Sequence, residues 1–164
     1  MFSANGVLGF TALLVQFAAA MVATMSFGIT FQVPRRHYFA CGATGAVGWL
    51  CYLVCAVGLG LSAPVATLLA ALPLTAMSRL FAITNRAPLT LFLLCGIFPL
   101  VPGAGIYYSA YYFLRDEGEL CTDKAVETIK IAVALALGIA LVCSIPLPRN
   151  ISLHQYNGRK EKQE

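Results

Sequence analysis

Pro99, Pro102, Gly103 and Gly105 fall within one apolar stretch, Leu89–Leu114. Proline has no amide hydrogen to donate, and glycine permits dihedrals that other residues avoid. The spacing predicts a helix that stops and restarts, as half-helices over about Leu89–Phe98 and Ala104–Leu114, meeting near mid-membrane. An interrupted helix leaves carbonyls unsatisfied at one end and N–H groups at the other. Those ends carry roughly half a charge each, negative and positive. The chemistry on offer is reversible binding of a small solute by backbone at Pro99, Pro102, Gly103, Ala104 and Gly105. An amino acid engages both ends through its ammonium and carboxylate, whereas a dicarboxylate engages only the positive one.

Side chains add less. Arg79 lies inside an apolar segment, where two roles fit it. Its planar fork can hold a carboxylate bidentately, or its long stem can carry the guanidinium to the headgroups. Tyr107, next to the break, can present its hydroxyl to a substrate. Tyr108, Tyr111 and Tyr112 read as an interfacial belt or as packing. Glu127 and Lys130 are spaced for a local ion pair, and His37 and His154 stand in polar flanks. No clustered acids, histidines or nucleophile–base pairs appear, so an enzyme is not expected. No aspartate or glutamate reads as deep in a span, so a proton relay, where one operates, is expected on another subunit.

The cysteines carry no metal or disulfide pattern. Cys41, Cys51, Cys55, Cys95 and Cys143 fall in apolar segments, and Cys121 falls in a polar one. There is no Cys-x-x-Cys pair, so no zinc site is implied. Cys51 and Cys55 share a helix face, and small buried hydrophobes are the reading preferred for them.

The elements that must position these residues follow from composition. Hydrophobic residues make up 59% of the chain and charged residues 11%, against about 25% charged in soluble domains. Lipid is the natural solvent for such a chain. A spanning helix needs about 20 apolar residues, and the expected spans are Val7–Phe31, Tyr38–Leu61, Val65–Thr84, Leu89–Leu114 (broken at 99–103) and Ala125–Ile145. A polar loop, Arg115–Lys124, precedes the last span, and a basic tail occupies 146–164. No lysine or arginine precedes the first apolar run, which exceeds the roughly 7–15 residues of a signal peptide core. It reads as a retained span. The fold class is an all-α integral membrane protein, a five-span bundle forming one domain.

Orientation follows from the basic residues. With five spans, Arg35, Arg36, Arg79, Arg86, Arg149, Arg159, Lys160 and Lys162 share one side, and Arg115, Lys124 and Lys130 the other. The N-terminus is then outside and the C-terminus cytoplasmic. A re-entrant Leu89–Leu114 would force the basic tail outside. The net charge of +4 sits in short clusters at span ends, not along one face, which argues against nucleic acid. Gly42, Gly45 and Gly48 give the second span a smooth stripe against which a neighbouring helix can pack closely. Their spacing and context do not fit a nucleotide-binding loop.

The Pro99-Leu100-Val101-Pro102-Gly103 break, followed by Gly105-Ile106-Tyr107, resembles the signature of the threonine/serine exporter (ThrE-like) family, and in particular its short split-subunit (YjjB-like) type. Val33-Pro34-Arg35, the glycine stripe before Trp49, Arg79, Pro88 and Ser144-Ile145-Pro146 fit as well, so the resemblance covers essentially the whole chain. It implies a multi-pass protein of the cell (inner) membrane that exports threonine and serine without a cofactor. In some split members the substrate is a dicarboxylate such as succinate. It also implies a longer partner subunit supplying the other half of the carrier, surrounded by lipid, with a higher oligomer left open. An odd number of spans per half fits an inverted repeat. A scaffolding membrane protein is the alternative from another class, though a scaffold has no need of a broken helix.

In a background without native cysteines, loop Cys121 included, a cysteine near Asn157 should resist a membrane-impermeant thiol reagent in intact cells. One placed in Glu117–Glu119 should react. Labelling of the tail from outside would overturn the five-span orientation.

Overall fold

A computed structural model describes residues 9–146, so the start of the first expected span and the tail bearing Arg149, His154, Arg159, Lys160 and Lys162 lie outside the described residues. The described chain is helical throughout, with no strand. Its helices are α1 (Phe10–Thr30), α2 (Tyr38–Leu53), α3 (Ala63–Thr84), α4 (Leu89–Ile97), α5 (Gly103–Leu114) and α6 (Gly118–Ser144). A 3-10 turn, Arg35–His37, leads into α2, and a π turn, Val54–Gly58, ends it. A second 3-10 turn, Phe98–Leu100, extends α4 to the break.

Helix ends in lipid must account for their own backbone groups. The termini of α1, α3 and α5 do so with one device. Gln32, Arg86 and Asp116 adopt left-handed φ values of 53°, 51° and 61°. In each case the next N–H reaches back across the turn: Val33 to the Gly28 carbonyl, Ala87 to Ala82 and Glu117 to Tyr112, at 2.9, 3.1 and 3.1 Å. This double-bonded cap satisfies terminal carbonyls, and proline following it prevents the helix from continuing. Pro34 and Pro88 stand there in the sequence.

The cap at Asp116 corrects one expectation. The segment Arg115–Lys124 is not a polar loop, because α6 starts at Gly118. Once Asp116 has closed α5, the chain restarts at once, and Glu119 sits in the first turn, where negative charge suits the helix dipole. Lys124 and Glu127 therefore ride on α6.

Tertiary contacts decide how often the chain crosses. At one end of the bundle, Ser62 and Pro64 share a groove with Asp123, Glu127 and Lys130. At the other, Arg79 donates to the carbonyls of Val142 and Ile145. Like ends of α3 and α6 are therefore adjacent, and the two helices run parallel. The chain between them must traverse the bundle once. It does so as Leu89–Leu100 and Gly103–Leu114, bent by 51°, not as a re-entrant loop. With Thr11–Thr30, Arg35–Gly58, Ala63–Thr84 and Gly118–Ser144, this makes up to 5 crossings.

The interior is built from small residues. Cys41, Ala46, Ala66, Ala70 and Ala71 are fully buried, as are Thr24, Thr44 and Thr75. Without a hydrophobic drive between helices in lipid, close backbone approach provides the attraction. The stripe on α2 serves two neighbours. A Cβ on Gly42 or Gly45 would meet Met21, Met25 or Thr24 of α1, whereas one on Gly48 would meet Leu74 of α3. Three-residue spacing drifts around the helix by 60° per step, so the last glycine has turned to a different partner.

Gly138 shows the same constraint between α3 and α6. An added Cβ would lie 2.6 Å from the Ala71 Cβ and 3.0 Å from the Leu68 carbonyl oxygen. Gly138→Ala should lower stability by about 1–3 kcal/mol through overpacking, despite the higher helix propensity of alanine. Gly118→Ala, where nothing lies within 4 Å, should not. Reversible unfolding in detergent checks both, and equal stability of the two variants would contradict the tight α3–α6 seam.

Candidate functional site

The broken crossing has arms of equal length. On one side are the 9 residues of α4 and the 3 of its 3-10 turn, and on the other the 12 of α5. The prolines create the break as expected, but the glycines do not act through unusual dihedrals. Gly103 and Gly105 are ordinary members of the first turn of α5, and the positive-φ glycine among the described residues is Gly60. Gly105 is instead a contact glycine. A Cβ there would stand 2.2 Å from the Thr128 hydroxyl oxygen of α6. Gly103 has open space around it, with nothing within 4 Å of an added Cβ.

The two ends at the break are unequal. Val101 N–H donates to the carbonyls of Ile97 and Phe98, at 3.1 and 3.3 Å. Leu100 is buried against α3 and α6 in the cluster with Ala70, Leu74 and Leu135. The expectation of a free carbonyl end on the first half-helix is corrected at Ile97 and Phe98, because the residue that follows the 3-10 turn donates back to both acceptors. At the start of α5, Gly103 N–H is held by the Val101 carbonyl at 2.7 Å, and the first regular helical bond runs from Ile106 N–H to Pro102. No side chain caps this end. The N–H groups of Ala104 and Gly105 are left as the open, positive pole.

Ala104 and Gly105 border a cavity of about 440 Å³, within the range of about 300–1,000 Å³ usual for small-molecule sites. The broken crossing contributes Pro99 to Pro102, Ala104, Gly105 and Tyr108; α2 contributes Trp49 and Tyr52. From α3 come Ala63 and Thr67, and from α6 Lys124, Glu127, Thr128 and Ile131. The wall is therefore apolar and aromatic with a few polar groups, set toward the end of the bundle where α3 and α6 begin. Trp49 and Pro99 also face a second recess of about 300 Å³ along α1, bordered by Gln16, Ala20 and Phe27. Trp49 Nε1 donates to Gln16 Oε1 at 3.1 Å across the partition. Phe27 and Phe98 stack beyond it, with centroids 3.8 Å apart.

Of the residues singled out from sequence, Pro99, Pro102, Ala104 and Gly105 border the cavity, and Gly103 lies between them. Tyr107 does not. It is 64% exposed and stacks on Tyr111, while its neighbour Tyr108, also exposed, borders the cavity. Tyr111 accepts from Arg115 Nη1 at 2.7 Å. Arg79 stands away from the cavity, its guanidinium bonded to the last-turn carbonyls of α6. Glu127 pairs with Lys124, at 2.8 Å, and not with Lys130. The reason is the longer α6, which places Lys124 one turn before Glu127 on the same face.

The side chains that sequence reasoning missed are Trp49, Tyr52, Thr67, Tyr108, Lys124, Glu127 and Thr128. A signal existed for those on α6: Lys124, Thr128 and Ile131 recur at i, i+4 and i+7, the period of one helix face. Reading the segment as a loop concealed it. Among the described residues no three His, Cys, Asp or Glu side chains converge on a metal position.

The family described as Threonine/Serine exporter, ThrE, has a model that matches residues 16–145. That stretch runs from Gln16, at the second recess, to the last turn of α6, and contains every wall of the cavity. No curated protein and no solved structure matches the chain. A multi-pass helical bundle with an interrupted crossing beside a solute-sized cavity suits a transporter family, and by the extent of that match the chain belongs to the threonine/serine exporter family ThrE.

Proposed function

We propose that this chain is one half of a secondary exporter for threonine and serine, acting with a longer partner subunit of the same family, and that the cavity beside Pro99–Gly105 receives the substrate. One observation carries the reading: in a chain of the exporter family, uncapped N–H groups of a broken helix open onto a solute-sized cavity. A carboxylate complements that pole, and unwound backbone at a substrate site is a recurrent transporter design. The charge distribution supports an orientation. Arg35, Arg36, Arg79 and Arg86 lie toward one end of the bundle and Arg115, Lys124 and Lys130 toward the other, and Arg149, Arg159, Lys160 and Lys162 follow the last crossing in the sequence. With the basic end cytoplasmic, the cavity opens outward. A dicarboxylate is the second reading, favoured by the same positive pole and by Lys124 on the cavity wall.

An odd number of crossings gives a half whose ends lie on opposite sides, as an inverted pair requires. The chain reconstituted alone should therefore move little labelled threonine, serine or succinate above empty liposomes. Adding the partner subunit should restore threonine and serine efflux. Robust transport by the isolated chain would remove the need for a second subunit, and efflux of none of these solutes with the partner present would remove the exporter reading.

Ala104 is exposed on the cavity wall, so a larger side chain there fills space without displacing a neighbour. Ala104→Leu should cut efflux about tenfold or more, a loss of about 1.4 kcal/mol in transition-state or binding free energy, at unchanged membrane expression. Tyr111→Phe, at the outer end of α5, should leave efflux near wild type. Full activity of Ala104→Leu would exclude the cavity as the substrate site.

A further inference from the structure

The cavity holds a charge pair that the helix break does not account for. Lys124 Nζ donates to Glu127 Oε2 at 2.8 Å, and both residues line the wall. Their side chains remain 45% and 49% exposed. An ion pair this open contributes little to stability, and no helix other than α6 depends on it for a hydrogen bond among those described. A ligand bringing one charge of each sign can replace it at little cost. Its neighbours on the wall fix where such a ligand would lie. Thr128 is buried against Gly105, so the α6 face bearing Lys124 and Glu127 abuts the first turn of α5.

The break itself meets only half of what an amino acid presents. Ala104 and Gly105 N–H groups suit a carboxylate, whereas at the other end the carbonyls of Ile97 and Phe98 already accept from Val101. Glu127 is the carboxylate on the cavity wall. We infer that Lys124 and Glu127 are the charge-recognition pair of the substrate site: Lys124 takes the α-carboxylate beside the α5 first turn, Glu127 takes the α-ammonium, and the observed ion pair is the resting state that substrate exchanges. The inference rests on the exporter reading and deepens it. It also assigns specificity, because the second carboxylate of a dicarboxylate would meet Glu127 and be repelled. Glu127 thus selects zwitterions from other small anions that the positive pole alone would accept.

The test uses the full carrier, this chain with its partner, in proteoliposomes loaded with labelled threonine or succinate. Glu127→Gln should raise the KM for threonine about tenfold or more and narrow the preference over succinate. Lys124→Gln should weaken both solutes. The double variant Lys124→Glu with Glu127→Lys keeps an ion pair but reverses its polarity against the α5 first turn. It should remain inactive at normal membrane expression and normal detergent stability. Recovery of threonine efflux in the double variant would overturn the assignment, since it would show that the pair matters only as a structural link. An unchanged threonine KM in Glu127→Gln, alongside an active wild type, would overturn it too. A wild-type carrier that moves succinate alone would overturn this assignment and leave the dicarboxylate reading, whereas one that moves neither solute would remove the exporter reading as well.

Discussion

Every peptide group in this bundle must find its hydrogen bond inside the protein, because hydrocarbon offers none and an unmet group costs several kcal/mol. The details of the structure follow from that requirement. The ends of α1, α3 and α5 close on themselves through left-handed residues that are not glycine, accepting a backbone cost of roughly 1–2 kcal/mol each in return for satisfied carbonyls. Pro73 interrupts α3 and removes the donor that Leu69 would have used; the Cys51 thiol stands 3.8 Å from that carbonyl. Arg79 meets the last carbonyls of α6 from a neighbouring helix. The buried hydroxyls of Thr24, Thr44 and Ser78 bond to carbonyls four residues back, which makes a hydroxyl tolerable in an apolar seam, whereas that of Thr75 has no partner among the described residues.

The first turn of α5 is distinguished by leaving open N–H groups at a break within a crossing. The N–H groups of Ala104 and Gly105 are neither capped nor folded back. Irregular backbone at membrane depth persists where protein or a water-filled cavity surrounds it, and a cavity is what borders this turn. The asymmetry between the two half-helices matters as much as the break. At one end the Ile97 and Phe98 carbonyls accept from Val101, and at the other the Ala104 and Gly105 N–H groups stay open, which gives the site a positive backbone pole. Any negative counterpart must come from a side chain, and α6 supplies Glu127.

The architecture around the cavity is uneven. Helix α2 packs between α1, α3 and α4, whereas α5 rests on α6 and has no buried residue. Ile106, Phe113 and Leu114 point outward, held in register by the Gly105–Thr128 contact. An arm with one supporting neighbour can change its angle at lower cost than a core helix, since few packed contacts oppose the movement.

Much of this was legible in the sequence. Apolar length and basic flanks determined a multi-pass bundle, and Pro99 and Pro102 determined that one crossing would break, because a missing N–H interrupts a helix whatever its neighbours are. The tertiary structure decided what surrounds the break. Whether Leu89–Leu114 crosses or returns depends on which end of α3 meets which end of α6. The role of Arg79 depends on a helix 63 residues further along the chain, and the thiol of Cys51 gains a role only beside Pro73 of another helix. Lys124 and Glu127 read as a loop residue and an interfacial one until the cap at Asp116 let α6 begin early and turned both toward the cavity. Helical tendency and membrane depth are local properties of the chain, and residue type reports them. Which side chains converge on a cavity is set by helix packing, in which each contact joins residues that sequence order keeps apart.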